Sequence, residues 1–214
     1  MFFPYKDDNP KILIPYVNYI IIGINILIFI FQFTMGIQDP EAEAILIYTY
    51  GLIPANFSIL TMLSSMFLHG GIAHILGNMW FLWLFGDNVE STLGHVRYIL
   101  FYVLCGIFAA LCQVLMNPGS EIPMVGASGA IAGVLGLYMI RFPKARVHFF
   151  IFIIVFFTTI RVPAIIVLGF WFFNQLTSGL GSLGLDITGG VAWFAHVGGF
   201  IAGIMLHQVF KLIR

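Results

Sequence analysis

The chain has 214 residues, of which 60% are hydrophobic and 8% charged, with a mean hydropathy of +1.02. A soluble domain carries about 25% charged residues, so a water-soluble fold of this composition would expose large apolar patches, and the protein belongs in a membrane. Its 9 basic and 9 acidic side chains cancel, which speaks against nucleic acid as a partner.

A membrane-spanning helix takes about 20 mostly apolar residues. The first such run covers residues 17–35, after Lys6 and Lys11. It is long for a signal peptide and no A-x-A site follows, so a retained helix is expected. Residues 36–68 form a long first loop. It carries Asp39, Glu41 and Glu43, then a mildly apolar half suited to the membrane interface. The second span runs over 71–91 and the third over 97–116, closed by the turn Asn117-Pro118-Gly119. Cys105 and Cys112 lie seven apart in the third span, too far along the axis to bridge, and read as small apolar packers.

The fourth span, 128–141, is only about 14 residues long, so its start lies below the membrane surface or its end protrudes. Residues 142–161 are strongly apolar but interrupted by Pro143, Lys144, Arg146 and His148. They fit a helix, an interfacial piece or a re-entrant piece. The fifth span covers 162–176. A Gly-rich loop, "TSGLGSLGLDITGG", leads to the sixth at 191–210. The expected organisation is a tail (1–16), one all-α six-helix membrane domain (17–210) and a second tail (211–214).

The distribution of charge tests this count. With six helices, all nine Lys and Arg residues fall on one side: Lys6, Lys11, Arg97, Arg141, Lys144, Arg146, Arg161, Lys211 and Arg214. The opposite loops hold Asp39, Glu41, Glu43, Glu121 and Asp186. Both termini are therefore expected in the cytoplasm, with Ser128 near the outer face.

Polar side chains at membrane depth are costly and mark function. His74 and Asn78 are four apart and share a helix face; His69 lies about a turn and a half nearer the outer end. On the last helix His196 heads a stripe with Gly199 and Gly203, and the fourth helix has a matching stripe, Gly129, Gly133 and Gly136. Two glycine faces allow close approach, which would bring Ser128 against His196. Singly, Ser128 reads as a packing or capping hydroxyl and His196 as an interhelical hydrogen bond. Together they make a nucleophile and a general base. With no acid at that depth, the unit would be a dyad. His74, Asn78 and the Ser128 backbone N–H, free at a helix start, are candidate oxyanion donors. His95, His148 and His207 read as interfacial, and Asp87 and Glu90 as paired or capping. A transporter would show repeats or broken helices with ion ligands, and a metal or haem protein a better histidine spacing than i, i+5.

"GASG" opening a short helix, "HGGIAHILGN" on an earlier one and "AHVGGFIAG" on the last resemble the rhomboid intramembrane serine proteases over about residues 67–206. The resemblance implies a six-helix bundle whose site opens outward through a water-filled cavity. It implies Ser128 as nucleophile, His196 as base, and His74 and Asn78 on the oxyanion side. Gly126 and Gly129 fall in the serine motif, Gly199 on the packing stripe, and His69 at a structural position. The implied substrates are single-pass or polytopic membrane proteins, cut in the bilayer near their outer end. Entry would be lateral, between the fifth helix, with Phe170, Trp171, Phe172 and Phe173, and the second. No cofactor or metal is implied, and the expected site is a bacterial plasma membrane. The alternative is a catalytically silent relative that binds or chaperones membrane proteins. Two departures stand out. The first loop lacks the Trp-Arg pair of many members, and Ala132 stands where some bacterial members have a Tyr that stacks on the histidine.

Overall fold

Apolar segments in lipid close their backbone hydrogen bonds internally, and most of this chain does so as helix. The computed structural model describes residues 2–10, 12–153, 156–183 and 191–212. Lys11, Asp186 and Arg214, which entered the charge count, lie outside the described residues. The helices are α1 (Tyr16–Gln38), α2 (Pro40–Tyr50), α3 (Ile59–Ser64), α4 (Ile72–Leu93), α5 (His95–Met116), α6 (Ser128–Arg141), α7 (Ala164–Ser182) and α8 (Trp193–Leu212). Among the described residues four helices, α1, α5, α7 and α8, are long and apolar enough to cross a membrane. A fifth span is completed if α4 is counted with residues 59–67, bent from it by 93°. The short α6 is the remaining apolar helix.

The first loop is ordered by caps. Asp39 accepts from the N–H groups of Glu41 and Ala42 at the start of α2, and Ser58 and Thr61 form a capping box on α3. At the basic end, Glu90 of α4 accepts from the N–H of Val17 at 3.0 Å and of Asn18 at 2.8 Å. It thereby satisfies the first turn of α1, and it also meets His95 Nδ1 at 2.5 Å. The capping role read for Glu90 is thus carried out across helices.

Where they are described, residues 142–161 form no helix of their own: a turn at 142–145 leads into strands. Arg146–Ile153 (β2) and Phe156–Pro163 (β3) pair as antiparallel strands. The N-terminal residues Phe2–Asp7 (β1) pair with β2, giving the order β1-β2-β3. Val162 and Pro163 finish β3, so α7 starts two residues later than expected. It runs on to Ser182, absorbing the first six residues of the Gly-rich run. The rest of that run, 184–190, lies outside the described residues.

The centre of the bundle is α6. Every residue from Gly129 to Tyr138 is buried, against α4, α5, α7 and α8. A helix enclosed by protein need not match the bilayer thickness, which is why 14 residues suffice. The α6–α8 contact is backbone on backbone. A Cβ on Gly199 would come within 2.0 Å of the Gly129 carbonyl oxygen, and one on Gly203 within 2.0 Å of that of Gly133. Gly203→Ala should therefore destabilise the protein by about 1–3 kcal/mol, the cost of overpacking a tight core. Gly23→Ala, at a glycine with nothing within 4 Å, should not. Thermal unfolding in detergent checks both.

Candidate active site

Ser128 is the first residue of α6. The chain reaches it through Gly126, whose φ of +126° lies where L side chains rarely go. The Gly126 N–H is held by the Ser65 carbonyl at 2.8 Å, and Met124 pairs with Leu52 in both directions, so the first loop braces the turn. A Cβ on Gly126 would stand 2.8 Å from His74 Cε1 and Nε2 and 3.5 Å from Asn78 Nδ2. Glycine is what lets both side chains reach the serine turn.

The α6–α8 glycine contact fixes the depth of His196, and its Nε2 lies 2.8 Å from Ser128 Oγ. Its Nδ1 lies 2.6 Å from Gln175 Oε1 on α7. An amide oxygen only accepts, so the Nδ1 proton points to Gln175. Nε2 then carries the lone pair that accepts from the serine hydroxyl. The ring is also flanked by Trp171, one turn before Gln175, at 5.7 Å between centroids with planes 36° apart. Ala132, noted above as a departure from some bacterial members, is fully buried. The flanking aromatic group comes from α7 instead.

Gln175 was missed by the sequence reading. The signal was present: a polar side chain one turn from Trp171 in an apolar span. It lies at the expected end of the fifth span, residues 162–176.

His74 and Asn78 line the same cavity as Ser128 and His196, about 720 Å³ in volume, with Gln113 and Trp193 on its other walls. The Gly70 N–H donates to His74 Nδ1 at 3.3 Å. The proton of a neutral His74 must then sit on Nε2, the atom facing the Gly126 turn. Asn78 Nδ2 is buried without a hydrogen-bond partner, an amide donor facing the same turn. Behind Ser128 a second recess, of about 20 Å³, lies between Met62, Met66, Gly106 and Ala109.

His69 is fully buried. Its backbone is clamped by Gln32 of α1, which accepts from its N–H at 3.1 Å and donates to its carbonyl at 2.7 Å. Gln32 also donates to Glu43 of α2 at 3.0 Å. The His69 ring stands edge-on to His74, with centroids 5.2 Å apart, so it walls His74 in place. This clamp ties the first loop to α1 in a chain that lacks the Trp-Arg pair. The expected aromatic wall of α7 divides: Phe170 and Phe173 are exposed, while Trp171 and Phe172 pack inward on Phe200. His148, at the basic end, is buried and paired with Asp8, with 2.5 Å between Nε2 and Oδ1. Cys105 and Cys112 are both free thiols. Among the described residues no group of three His, Cys, Asp or Glu side chains could hold a metal.

The rhomboid-domain family model matches residues 56–211. The chain is similar to the mitochondrial rhomboid protein 1 of Saccharomyces cerevisiae, at 28% identity over 95% of this chain and 54% of that protein. It is similar to rhomboid protease GluP of Bacillus subtilis at 31% identity, over 88% of this chain and 34% of that protein. RHOMBOID-like protein 4 of Arabidopsis thaliana matches at 31% identity, over 72% of this chain and 34% of its own length. The chain thus spans about a third to a half of the length of these relatives. A multi-pass helical membrane bundle with the family's domain over nearly three-quarters of its length, the chain belongs to the rhomboid family.

Proposed function

We propose that the protein is a serine endopeptidase that cuts membrane-protein substrates within the bilayer. The observation that carries this reading is the unbroken relay from Ser128 Oγ to His196 Nε2 and from Nδ1 to Gln175 Oε1. Ser128 Oγ attacks a peptide carbonyl while His196 takes its proton. The oxyanion is met by His74 Nε2–H, Asn78 Nδ2–H and the Ser128 N–H. His196 then returns the proton to the leaving amine, and the C–N bond breaks, leaving an acyl-enzyme. A water from the cavity attacks that ester with His196 again as base. It releases the acid and restores Ser128. Resemblance to a relative named a protease supports the same assignment.

The substrate segment must leave its helix, because an intact helix closes every carbonyl internally. Residues of low helix propensity such as Gly ease this by roughly 1 kcal/mol each. Basic residues gathered on one side support an orientation with both termini cytoplasmic in a plasma membrane and the site toward the outer face. Entry from lipid would pass between α7 and α4. The test is cleavage of a reporter with Gly pairs moved along its spanning segment, cut sites being mapped by mass spectrometry. Cuts should track the pair only near the outer end. Cuts on the basic side would overturn the topology and the depth of the site.

Asn78→Ala and His74→Ala should each slow turnover by about 10²–10³-fold, the usual cost of one oxyanion donor, without abolishing it. Single-turnover cleavage of the reporter measures this, and a wild-type rate in either variant removes that residue from the role.

Gln175→Leu leaves the Nδ1–H of His196 buried and unpaired, at about 1–3 kcal/mol, which corresponds to a fall in kcat of about 10–100-fold. Gln175→Glu keeps an acceptor on Nδ1 and should retain most of the rate. Equal losses in both variants would mean that Gln175 serves packing alone.

A further inference from the structure

The three-stranded sheet takes no part in this chemistry, and its depth is set by contacts with α4. Trp80 stands two residues beyond Asn78, about 3 Å deeper along the helix. Its indole N–H donates to the Pro4 carbonyl at 2.7 Å, and its ring lies 4.6 Å from that of Phe3. Eight residues further on, Asn88 Nδ2 donates to Asp7 Oδ2 at 3.1 Å. Strand β1 thus runs beside α4 from just below the candidate site to the basic end of the bundle. Its antiparallel partner brings Phe150 opposite Phe3 and Val147 opposite Asp7. The paired strands β2 and β3 therefore have their base, at Arg146 and Arg161, at the basic end of the bundle.

The side chains sort along this axis. At the end away from the base stand Phe3, Phe149, Phe150, Ile151 and Phe157, without one polar group. Lys6, Asp8, Arg146, His148 and Arg161 gather at the other end, where Lys6 pairs with His148 and His148 with Arg161. One face, with Val147 and Ile151, is buried on the bundle. Phe3, Phe150 and Phe157 are exposed by 37%, 39% and 67%. In water such a face would be an aggregation site. Strand β2 is paired on both sides. At the β1 edge Pro4 has no N–H to satisfy and Trp80 takes its carbonyl; β3, exposed over residues 157–161, is the outer edge of the sheet.

We propose that this sheet is seated in the leaflet on the basic side of the membrane. Its Phe-rich end lies among acyl chains, and Lys6, Arg146 and Arg161 lie on anionic lipid headgroups. The anionic partner follows from the charge of the exposed base, where the His148-paired Asp8 is the one exposed carboxylate set against the exposed cations Lys6, Arg146 and Arg161. Each cation near an anionic surface is worth about a five-fold gain in binding.

The test uses the full chain in bilayers of phosphatidylcholine and phosphatidylglycerol, in a background with Cys105→Ala and Cys112→Ala. Spin labels are placed singly by Phe150→Cys, Thr159→Cys and Arg146→Cys. Labels at 150 and 159 should collide with oxygen several-fold more than with an aqueous nickel chelate, and the label at 146 should show the reverse. Chelate access at 150 and 159 equal to that at 146 would put the sheet in water and overturn the proposal. In a second arm that needs no label, Arg146→Gln/Arg161→Gln should retain at least five-fold less phosphatidylglycerol through detergent purification than the parent. Both positions are exposed, so the fold is left intact, and unchanged retention would overturn the headgroup contact.

Discussion

Ser128→Ala is expected to abolish cleavage of a membrane-spanning reporter while leaving the protein folded. Two readings of this hydroxyl differ by orders of magnitude, so the experiment separates them cleanly. A packing or capping hydroxyl contributes about 1 kcal/mol of stability, and its loss would lower the melting temperature and leave the rate alone. A nucleophile contributes the reaction itself, and its removal lowers kcat on the order of 10⁴-fold or more. Ser128 is only half-buried, lines the 720 Å³ cavity and is hydrogen-bonded to His196, so little core packing is at stake. Labelling by a fluorophosphonate should disappear in the same variant. Cleavage at the parent rate would end the protease reading, and would leave the sheet proposal untouched, since that is read from collision rates and lipid retention.

His196→Ala should be as inactive as Ser128→Ala, and the double variant no slower than either. Members of one catalytic unit are strongly non-additive, because removing one already disables the other. With His196 gone, Ser128 Oγ has lost its 2.8 Å acceptor, and its unassisted hydroxyl is a weak nucleophile. The measurement is the rate of each single variant and of the pair against the same reporter. Multiplying losses would mean that the two side chains act independently and that their hydrogen bond is structural.

How much of this could be read from the sequence varies with how local its cause is. Hydropathy located α1, α5 and α8 to within a few residues, because lipid solvation acts on each segment alone. The meeting of Ser128 and His196 was also legible, since glycines at i, i+3 and i+7 leave one face on which two helices can touch backbone to backbone. The sheet was not legible. In β2 the run "RVHFFIFI" alternates polar and apolar residues only from Arg146 to Phe149, because beyond them the exposed face, at Phe150, is apolar as well. Its partner β1 lies about 145 residues away, so no hairpin signal joins them. Gln175 was passed over for a different reason: its value depends on which way His196 Nδ1 points, a property of two helices and of neither alone. The roles of His69 and Gln32 came into view only once the loop was seen folded back on α1.

Gln175 and Trp171 stand one turn apart on α7, while the groups they steady belong to α8 and, through the imidazole, to α6. The 2.6 Å hydrogen bond is lost once its atoms stand more than about 3.5 Å apart, a shift of about 1 Å. The tautomer of the base is thus indexed to the position of a helix that carries neither reacting group, and whose Phe170 and Phe173 face the surroundings. In the proposed mechanism the bundle would act as an interlock: a sideways shift of α7 that took Gln175 away from Nδ1 would let the His196 ring adopt the other tautomer, whose Nε2–H cannot accept from the serine hydroxyl.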